Sequence, residues 1–356
     1  MLRITVWLTS LVTLCCSFHS STSWGDTTRS KSTSRKTKVQ ARLASPPTTS
    51  APHSKTNKQA RLLKSASGLK AAKPFQFKWP IPGSVTVVEH VLKKGRKATL
   101  RYNIVTQPLK KGRIKVAIKN LTFLSLQGID FNTKVGRMVR KRVERYAKII
   151  PAFIVDHKGN YLDVTGIRKI LLALLQENGT TKLSPKKQAQ FKKMLLSKPL
   201  INTLKSKSSE LWLLWVGYWV GLKLQPGQRT KVTMENAIMN QKYKAHATIR
   251  HQGMDKQQRV KLKLHMDMGT KALRKAFRAM VKVMGMKKRM ANLDIFKAMR
   301  SIMNIEIVTD PSTLRPVKIK KVQKTHLTMK DGTSAKQVEQ HTYYFQWKPS
   351  ATKSKK

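Results

Sequence analysis

Acidic residues and cysteine are scarce in this chain of 356 residues. Sixteen Asp and Glu stand against 73 Lys and Arg, which gives a formal net charge of +57. Such a surface attracts polyanions and anionic lipid head groups. Both cysteines, Cys15 and Cys16, lie in the first apolar run. Disulfides and thiol chemistry are therefore excluded from the rest of the chain.

Motifs of catalysis and metal binding are also lacking. The chain has no Gly-x-Ser-x-Gly elbow, no His-Glu-x-x-His pair, no Walker loop and no dinucleotide fingerprint. Its acids are scattered singly, and Asp156 and Asp310 fit turns. We therefore expect no metal site and no cofactor. Aromatic residues make up only 7% of the chain, and no specific nucleic-acid recognition is expected because no recognition motif accompanies the charge.

The N-terminal region predicts export. Arg3 precedes an apolar run and a Ser/Thr-rich exit, which together are typical of a secretory signal over residues 1–23, too short to act as a stable membrane anchor. Residues 24–73 are rich in Ser, Thr, Lys and Arg and predict a disordered basic linker. Residues 348–356 form a basic tail. An exported chain of this size without mature cysteine fits the periplasm or the exterior of a bacterial envelope.

Residues 74–347 mix strand and helix patterns, which predicts a single α+β domain. Two copies of Leu-Lys-Lys-Gly-Arg, at 92–96 and 109–113, each precede alternation of period two and predict hairpins of an antiparallel sheet. Another hairpin is predicted around Asp331-Gly332. One later strand has an apolar face that alternates with polar residues, formed by Val260, Leu262, Leu264 and Met266.

Strands, a helix and an Asp-centred hairpin follow one another twice, at 84–166 and 229–320. This order predicts a duplicated unit joined by the helical segment 167–228. The sheet is expected to be curved, with helices packed on one face. In this order of elements alone, residues 76–347 are similar to the periplasmic lipoprotein carriers and related lipid-binding half-barrels. No specific motif is shared, and a fold does not fix a function.

The stretch LWLLWVGYWVGLKL, residues 211–224, holds three of the seven tryptophans. Its apolar run of twelve residues, Leu211 to Leu222, falls short of the roughly twenty that span a bilayer. Apolar residues cover all sides at helical spacing, so we predict a buried central helix in which Gly217 and Gly221 admit a close neighbour. Core packing alone is one interpretation, and a ligand-facing edge at Trp215 and Trp219 is the other.

The Met-rich segment 271–303 predicts two amphipathic helices, from Lys271 to Met284 and from Leu293 to Met303. Their methionines either fill gaps in the core or form a deformable wall for acyl chains, with the basic faces on an anionic membrane. The candidate ligand-binding residues are Trp215, Trp219, Phe277, Met280, Met284, Phe296, Met299 and Met303. The candidate anion-contacting residues are Lys271, Arg274, Lys275, Arg278 and Lys282.

These patterns support three hypotheses about function. The leading one is an exported, non-catalytic envelope protein that binds an amphipathic anionic ligand, either a lipid or a lipid-linked polymer, with peripheral membrane contact. The second is an interaction protein that docks electrostatically on a polyanionic cell-surface or cell-wall polymer. The third is an exported hydrolase whose triad is assembled only in space. A host with a basic proteome is a further explanation of the charge.

Overall fold

The computed structural model describes residues 72–147, 150–177, 184–238, 241–274 and 296–348. The predicted signal peptide, the predicted linker up to residue 71 and the basic tail from residue 349 lie outside these ranges. So does most of the first predicted Met-rich helix, of which residues 270–274 are described and are helical.

The strands and helices are named here in chain order. The strands are β1 (Gly83–Lys93), β2 (Arg96–Pro108), β3 (Arg113–Leu126), β4 (Ala152–Asp156), β5 (Tyr161–Thr165), β6 (Arg229–Ile238), β7 (Gln241–Met254), β8 (Val260–Met268), β9 (Phe296–Thr309), β10 (Pro316–Met329) and β11 (Ser334–Trp347). The helices are α1 (Lys134–Ala147), α2 (Ile167–Glu177), α3 (Pro185–Leu195) and α4 (Lys198–Trp212), which continues as a π-helical turn at Leu213–Gly217.

All strands belong to one antiparallel sheet of 11 strands, in the order β5-β4-β3-β2-β1-β11-β10-β9-β8-β7-β6. The first and last strands pair in the middle of the sheet. β5 and β6 form the two edges, so the described sheet is not closed. The α+β class and the antiparallel hairpins are thereby confirmed. Read across the sheet, β5 to β1 follow one another in reverse chain order, and so do β11 to β6. The duplication of the two predicted units stays a prediction.

Alternation along the strands gives the sheet two chemically different faces. On β8, Val260, Leu262, Leu264 and Met266 are buried, as predicted. Cross-strand pairing places these side chains on the same face as Ile305 of β9, Val87 of β1 and Leu100 of β2. We call this the inner face and the opposite one the outer face. Each fully buried aliphatic side chain there stabilises the fold by about 1.5–3 kcal/mol.

Aromatic residues close one end of the inner face, where β1 begins and β11 ends. Trp212 lies edge-on to Phe77 and Trp79, with ring centroids 5.5 Å apart in both pairs. Its indole Nε1 donates to the carbonyl oxygen of Gly159 at 2.9 Å. Trp79 also lies edge-on to Trp347 at 5.0 Å. We call this end the sealed end and the opposite one, where β1 ends at Lys93, the open end.

Gly159 shows why the sealed end needs glycine. Its φ is +87°, and a Cβ there would stand 2.7 Å from the side chain of Phe77. The turn is held by Asp156, whose Oδ1 accepts the backbone N–H groups of Lys158 and Asn160. These bonds confirm the predicted tight turn, and they present the Gly159 carbonyl to Trp212.

The tryptophan stretch requires a correction. Only Leu211 and Trp212 belong to α4, and the following residues form the π-helical turn up to Gly217 and then a non-helical turn. Gly221 has a φ of +78° with nothing within 4 Å of a built Cβ, so it serves the turn and admits no close neighbour. After this turn the backbone no longer follows a helix, and it pairs instead with the segment before β1: the N–H of Gly221 donates to the carbonyl of Phe75, and the N–H of Phe75 donates to the carbonyl of Leu222.

The predicted helix from Leu293 to Met303 is wrong. Residues from Phe296 onward form β9, which pairs with both β8 and β10. Met299 and Met303 are four residues apart, a spacing that keeps them on one face of a strand as well as of a helix. Pairing on both sides overrides the helix propensity of Ala, Met, Lys and Arg in this segment.

Candidate functional site

The inner face carries a buried network of polar side chains beside its apolar residues. We call this network the ionic cluster, and it consists of Glu89, Lys93, Tyr102, Glu339, His341 and Tyr343. β1, β2 and β11 are neighbours in the middle of the sheet, so their inward positions bring these side chains together although the first and last lie some 250 residues apart along the chain.

His341 lies at the centre of the ionic cluster. Its Nδ1 is 2.7 Å from Oε1 of Glu89, and its Nε2 is 2.7 Å from Oε1 of Glu339. Lys93 Nζ then lies 2.8 Å from Oε2 of Glu339. The chain of contacts thus runs from Glu89, which is fully buried, to Lys93 at the open end.

Burial alone would lower the pKa of His341, but its hydrogen bonds to Glu339 and Glu89 outweigh burial and raise that pKa. Burial likewise opposes ionisation of Glu339, yet its bonds to His341 and Lys93 hold its pKa well below the ordinary range. The imidazolium therefore forms readily between two carboxylates. The two carboxyl groups, those of Glu89 and Glu339, face two basic groups, those of His341 and Lys93. The ionic cluster therefore needs no outside ion to balance its charge.

The two tyrosines complete the buried end of the ionic cluster. Burial, followed by the nearby charge of Glu89, raises the pKa of both Tyr102 and Tyr343 well above the ordinary value. Both phenols therefore keep their protons. The hydroxyl of Tyr102 donates to Oε2 of Glu89 at 3.3 Å, and Tyr343 also hydrogen-bonds Glu89. Such donors are what a carboxylate in a dry interior requires.

Lys321 adds a surplus positive charge to the inner face. It pairs across the sheet with His341 on one side and Ile305 on the other, and it is half-buried. No carboxylate of the described residues lies within ion-pair distance of its ammonium group. Its charge acts on His341 in the direction that lowers the pKa of the imidazole. Lys321 therefore adds a positive charge beside the ionic cluster that no carboxylate among the described residues balances.

Apolar side chains adjoin these charges toward the open end. Met303 pairs with Met266 of β8 and with Gln323 of β10, and Gln323 pairs in turn with Glu339. Met303 is half-buried, whereas Met266 is almost completely buried. Further toward the open end Met268, Gln323, Thr325 and Leu327 are half-buried, whereas Ser301 and Met299 of β9 are buried. The methionines of β8 and β9 thus form an apolar strip, in which Met303 and Met268 are the more accessible members, next to Lys321 and the ionic cluster.

The predicted ligand-binding residues divide into three groups. Met299 and Met303 lie together on the inner face, where Met299 is buried against the side chain of Thr270, whose Oγ1 bonds to the Met299 backbone. Trp215 and Trp219 are fully buried in the core, and Trp215 Nε1 has no hydrogen-bond partner among the described residues. Phe277, Met280, Met284 and the side chain of Phe296 lie outside the described residues.

The predicted anion-contacting residues are only partly described. Lys271 is exposed on the short helix at 270–274. Arg274 is half-buried and donates to the carbonyl oxygen of Lys297 at 3.1 Å, so this guanidinium ties the helix to β9. Lys275, Arg278 and Lys282 lie outside the described residues.

Sequence reasoning missed both the ionic cluster and Lys321. One signal was present, because Glu89 occupies the inward phase of an alternating strand, between the buried Val87 and Val91. A carboxylate at such a position needs partners in the interior. Those partners lie on β2 and β11, and a pairing between the first and last strands leaves no local trace in the sequence.

The described ranges contain neither a metal-binding group of side chains nor a membrane-spanning helix. No three His, Cys, Asp or Glu side chains there are grouped so that they could hold a metal ion. Among the same residues, no helix combines the length and the hydropathy that crossing a membrane requires.

Comparisons with known proteins give only weak likenesses. No family model and no curated protein matches the chain. A structure titled as lipid-protein interactions in lipovitellin is similar over 75% of this chain, with 10% identity and a TM-score of 0.36, and the chain spans about a quarter of its length, 25%. A hypothetical lipoprotein of Escherichia coli K12, YmcC, is similar over 83% of this chain and 99% of its own, with 8% identity and a TM-score of 0.20. At these scores the likeness extends to neither family nor function.

Proposed function

We propose that the inner face at the open end binds an amphipathic anionic ligand, a lipid or lipid-linked molecule. The observation that carries this proposal is Lys321, a half-buried cation without an ionic partner among the described residues, which pairs with Ile305 and so lies one inner position away from Met303 of the apolar strip. An unmatched cation in a partly desolvated place favours an anionic group. The adjacent methionines offer a deformable surface to an alkyl chain.

The orientation of the ligand follows from the cross-strand order. Its head group would contact Lys321, next to the balanced ionic cluster, and its tail would lie along β9 toward Met299. The ionic cluster fixes β1 and β11 beneath the head group and offers few free donors of its own, because its members already bond one another. Export, predicted from residues 1–23, belongs to this proposal, since the envelope is where such a soluble carrier would meet lipid.

The head-group contact can be tested with dansylated undecanoic acid, an anionic fatty-acid probe whose fluorescence rises in apolar surroundings. Lys321→Gln should weaken its binding about tenfold, because a partly buried contact to a charged group is worth roughly 1.5–3 kcal/mol. Lys320→Gln is the matched control, since this neighbouring lysine is exposed on the outer face. The methyl ester of the probe should bind both variants equally. Equal losses for the two variants with the acid, or no binding by the unaltered protein, would contradict the proposal.

The tail contact has a matched pair of its own. Met303→Ser on the inner face should weaken binding of both the acid and the ester several-fold, because the apolar area that covers the alkyl chain is reduced. Ile302→Ser changes the neighbouring residue, which alternation places on the outer face. If the two substitutions affect binding alike, the tail does not lie on the inner face of β9.

A further inference from the structure

Helix α1 is strongly basic. Its sequence KVGRMVRKRVERYA contains six Lys or Arg and one acid, Glu144. One side of the helix is buried through Gly136 and Val139, and Gly136 approaches the backbone of Asp130 so closely that a built Cβ would clash with it. Gly136 and Val139 therefore mark the side of the helix that packs against the protein, and the side opposite them faces solvent.

The exposed side of α1 also carries apolar residues. Val135 and Met138 have relative exposures of 62% and 64%, the highest of the large apolar side chains in the described ranges. They are three positions apart and so lie side by side on the helix surface. Exposure of two such neighbours on a firmly packed helix has no role in folding and favours a partner that covers them.

Cations surround this apolar pair. Lys134, Arg137 and Lys141 are exposed, and no carboxylate in the described part of the chain pairs with them. Arg137 donates to the carbonyl oxygen of Asn132, and Arg140 lies over the ring of Phe131, 5.4 Å from its centroid. Both guanidinium groups are thereby held beside Phe131 and Asn132, the residues that precede the helix.

From this surface we infer that α1 docks the protein on a bilayer that contains anionic lipid. An anionic polymer would be attracted by the cations alone, whereas a bilayer also buries Val135 and Met138 below its head groups. Each Lys or Arg near an anionic surface strengthens the attachment by roughly fivefold. The chain leaves β3 at the open end before α1 begins, so docking would bring that end toward the membrane. The inference rests on α1 alone and holds whether or not the inner face binds a ligand.

A local probe separates insertion of α1 from general attraction of a chain with charge +57. The full chain with Cys15→Ser and Cys16→Ser carries one new cysteine, Met138→Cys, labelled with the environment-sensitive dye NBD. Vesicles of phosphatidylglycerol and phosphatidylcholine should raise and blue-shift its emission, and spin-labelled lipid should then quench it. The control is Leu162→Cys, exposed on β5 at the sealed end, which should not respond.

Co-sedimentation of the unlabelled protein provides the second measurement. In high salt, where general attraction is screened, Val135→Ser with Met138→Ser should reduce vesicle binding about tenfold because the inserted apolar area is lost. Leu162→Ser should leave it unchanged. An unresponsive NBD label at position 138 on vesicles that do bind the protein would overturn the inference, as would an absence of binding to anionic vesicles. The fatty-acid probe tests the inner face and is used without vesicles. Its success or failure therefore does not affect the NBD and co-sedimentation results, which test α1.

Discussion

The two ends of the strands differ in what covers the inner face. At the sealed end, Trp79 and Trp212 meet edge to face and their indole N–H groups donate to backbone carbonyls, those of Leu314 and Gly159. From Lys321 and Met303 toward the open end, several side chains on the same face are half-buried. The alternation of side chains is the same at both ends. Among the described residues, the difference therefore comes from the aromatic side chains that pack over the sealed end, which shows that burial along one sheet depends on the segments outside it as well as on its own alternation.

Truncating the aromatic cover should have the largest effect on stability. We predict that Trp212→Ala lowers the free energy of unfolding by about 3–5 kcal/mol, because it leaves a large cavity and an unpaired carbonyl at Gly159. Met303→Ala at the open end should cost much less, about 1 kcal/mol, since the side chain is only half-buried. Denaturant titration of the two variants measures both values. Similar losses would mean that the ends do not differ in packing as described.

Removing the centre of the ionic cluster should follow in size. We predict that His341→Gln lowers the free energy of unfolding by about 3 kcal/mol near neutral pH, because the buried carboxyl of Glu89 and the half-buried one of Glu339 lose their shared partner. His90→Gln is the matched control, since this histidine lies on the outer face of β1, where it hydrogen-bonds Thr99 and packs edge-on against Tyr344 but contacts no carboxylate among the described residues. An equal loss of unfolding free energy in His90→Gln would contradict the prediction that the ionic cluster on the inner face stabilises the fold.

The same histidine sets a direction for pH dependence. The folded pKa of His341 is raised above the ordinary 6.5, so its contribution to stability is fully present below about pH 6.5 and is lost as pH rises through the raised value. Glu339 acts in the opposite sense, because its lowered pKa gives stability that disappears as pH falls below the ordinary range of Glu. Unfolding measured across pH should therefore show a decline on the alkaline side that His341→Gln abolishes and His90→Gln retains.

The sealed end was the more predictable of the two from sequence. Its hairpin turns can be predicted from short local sequences. In Asp156-His157-Lys158-Gly159, for example, the Asp156 carboxylate accepts backbone N–H groups that follow it in the chain. The tryptophans are apolar on all sides of their segment, so burial was the natural expectation and is confirmed. The open end resisted prediction because Met299 and Met303 fit helix and strand alike, and because Glu89 meets His341 only through pairing of the chain's first and last strands.

Two aspartate turns at opposite ends should show the smallest difference. Asp310 at the sealed end accepts the backbone N–H and the hydroxyl of Ser312, and its turn positions Leu314, which is completely buried. Asp331 at the open end makes equivalent bonds to Thr333, but its turn is exposed on all sides. We predict that Asp310→Ala costs about 1 kcal/mol of unfolding free energy and that Asp331→Ala costs less. Burial opposes ionisation of Asp310, but its bonds to Ser312 and Thr313 outweigh burial and lower its pKa, and the bonds to Thr333 lower the pKa of Asp331. Each contribution should therefore vanish as pH falls below the ordinary range of Asp. Denaturant titrations at neutral and acid pH measure both differences. A larger loss for Asp331→Ala would contradict the prediction that the buried turn at the sealed end contributes more to stability than the exposed one.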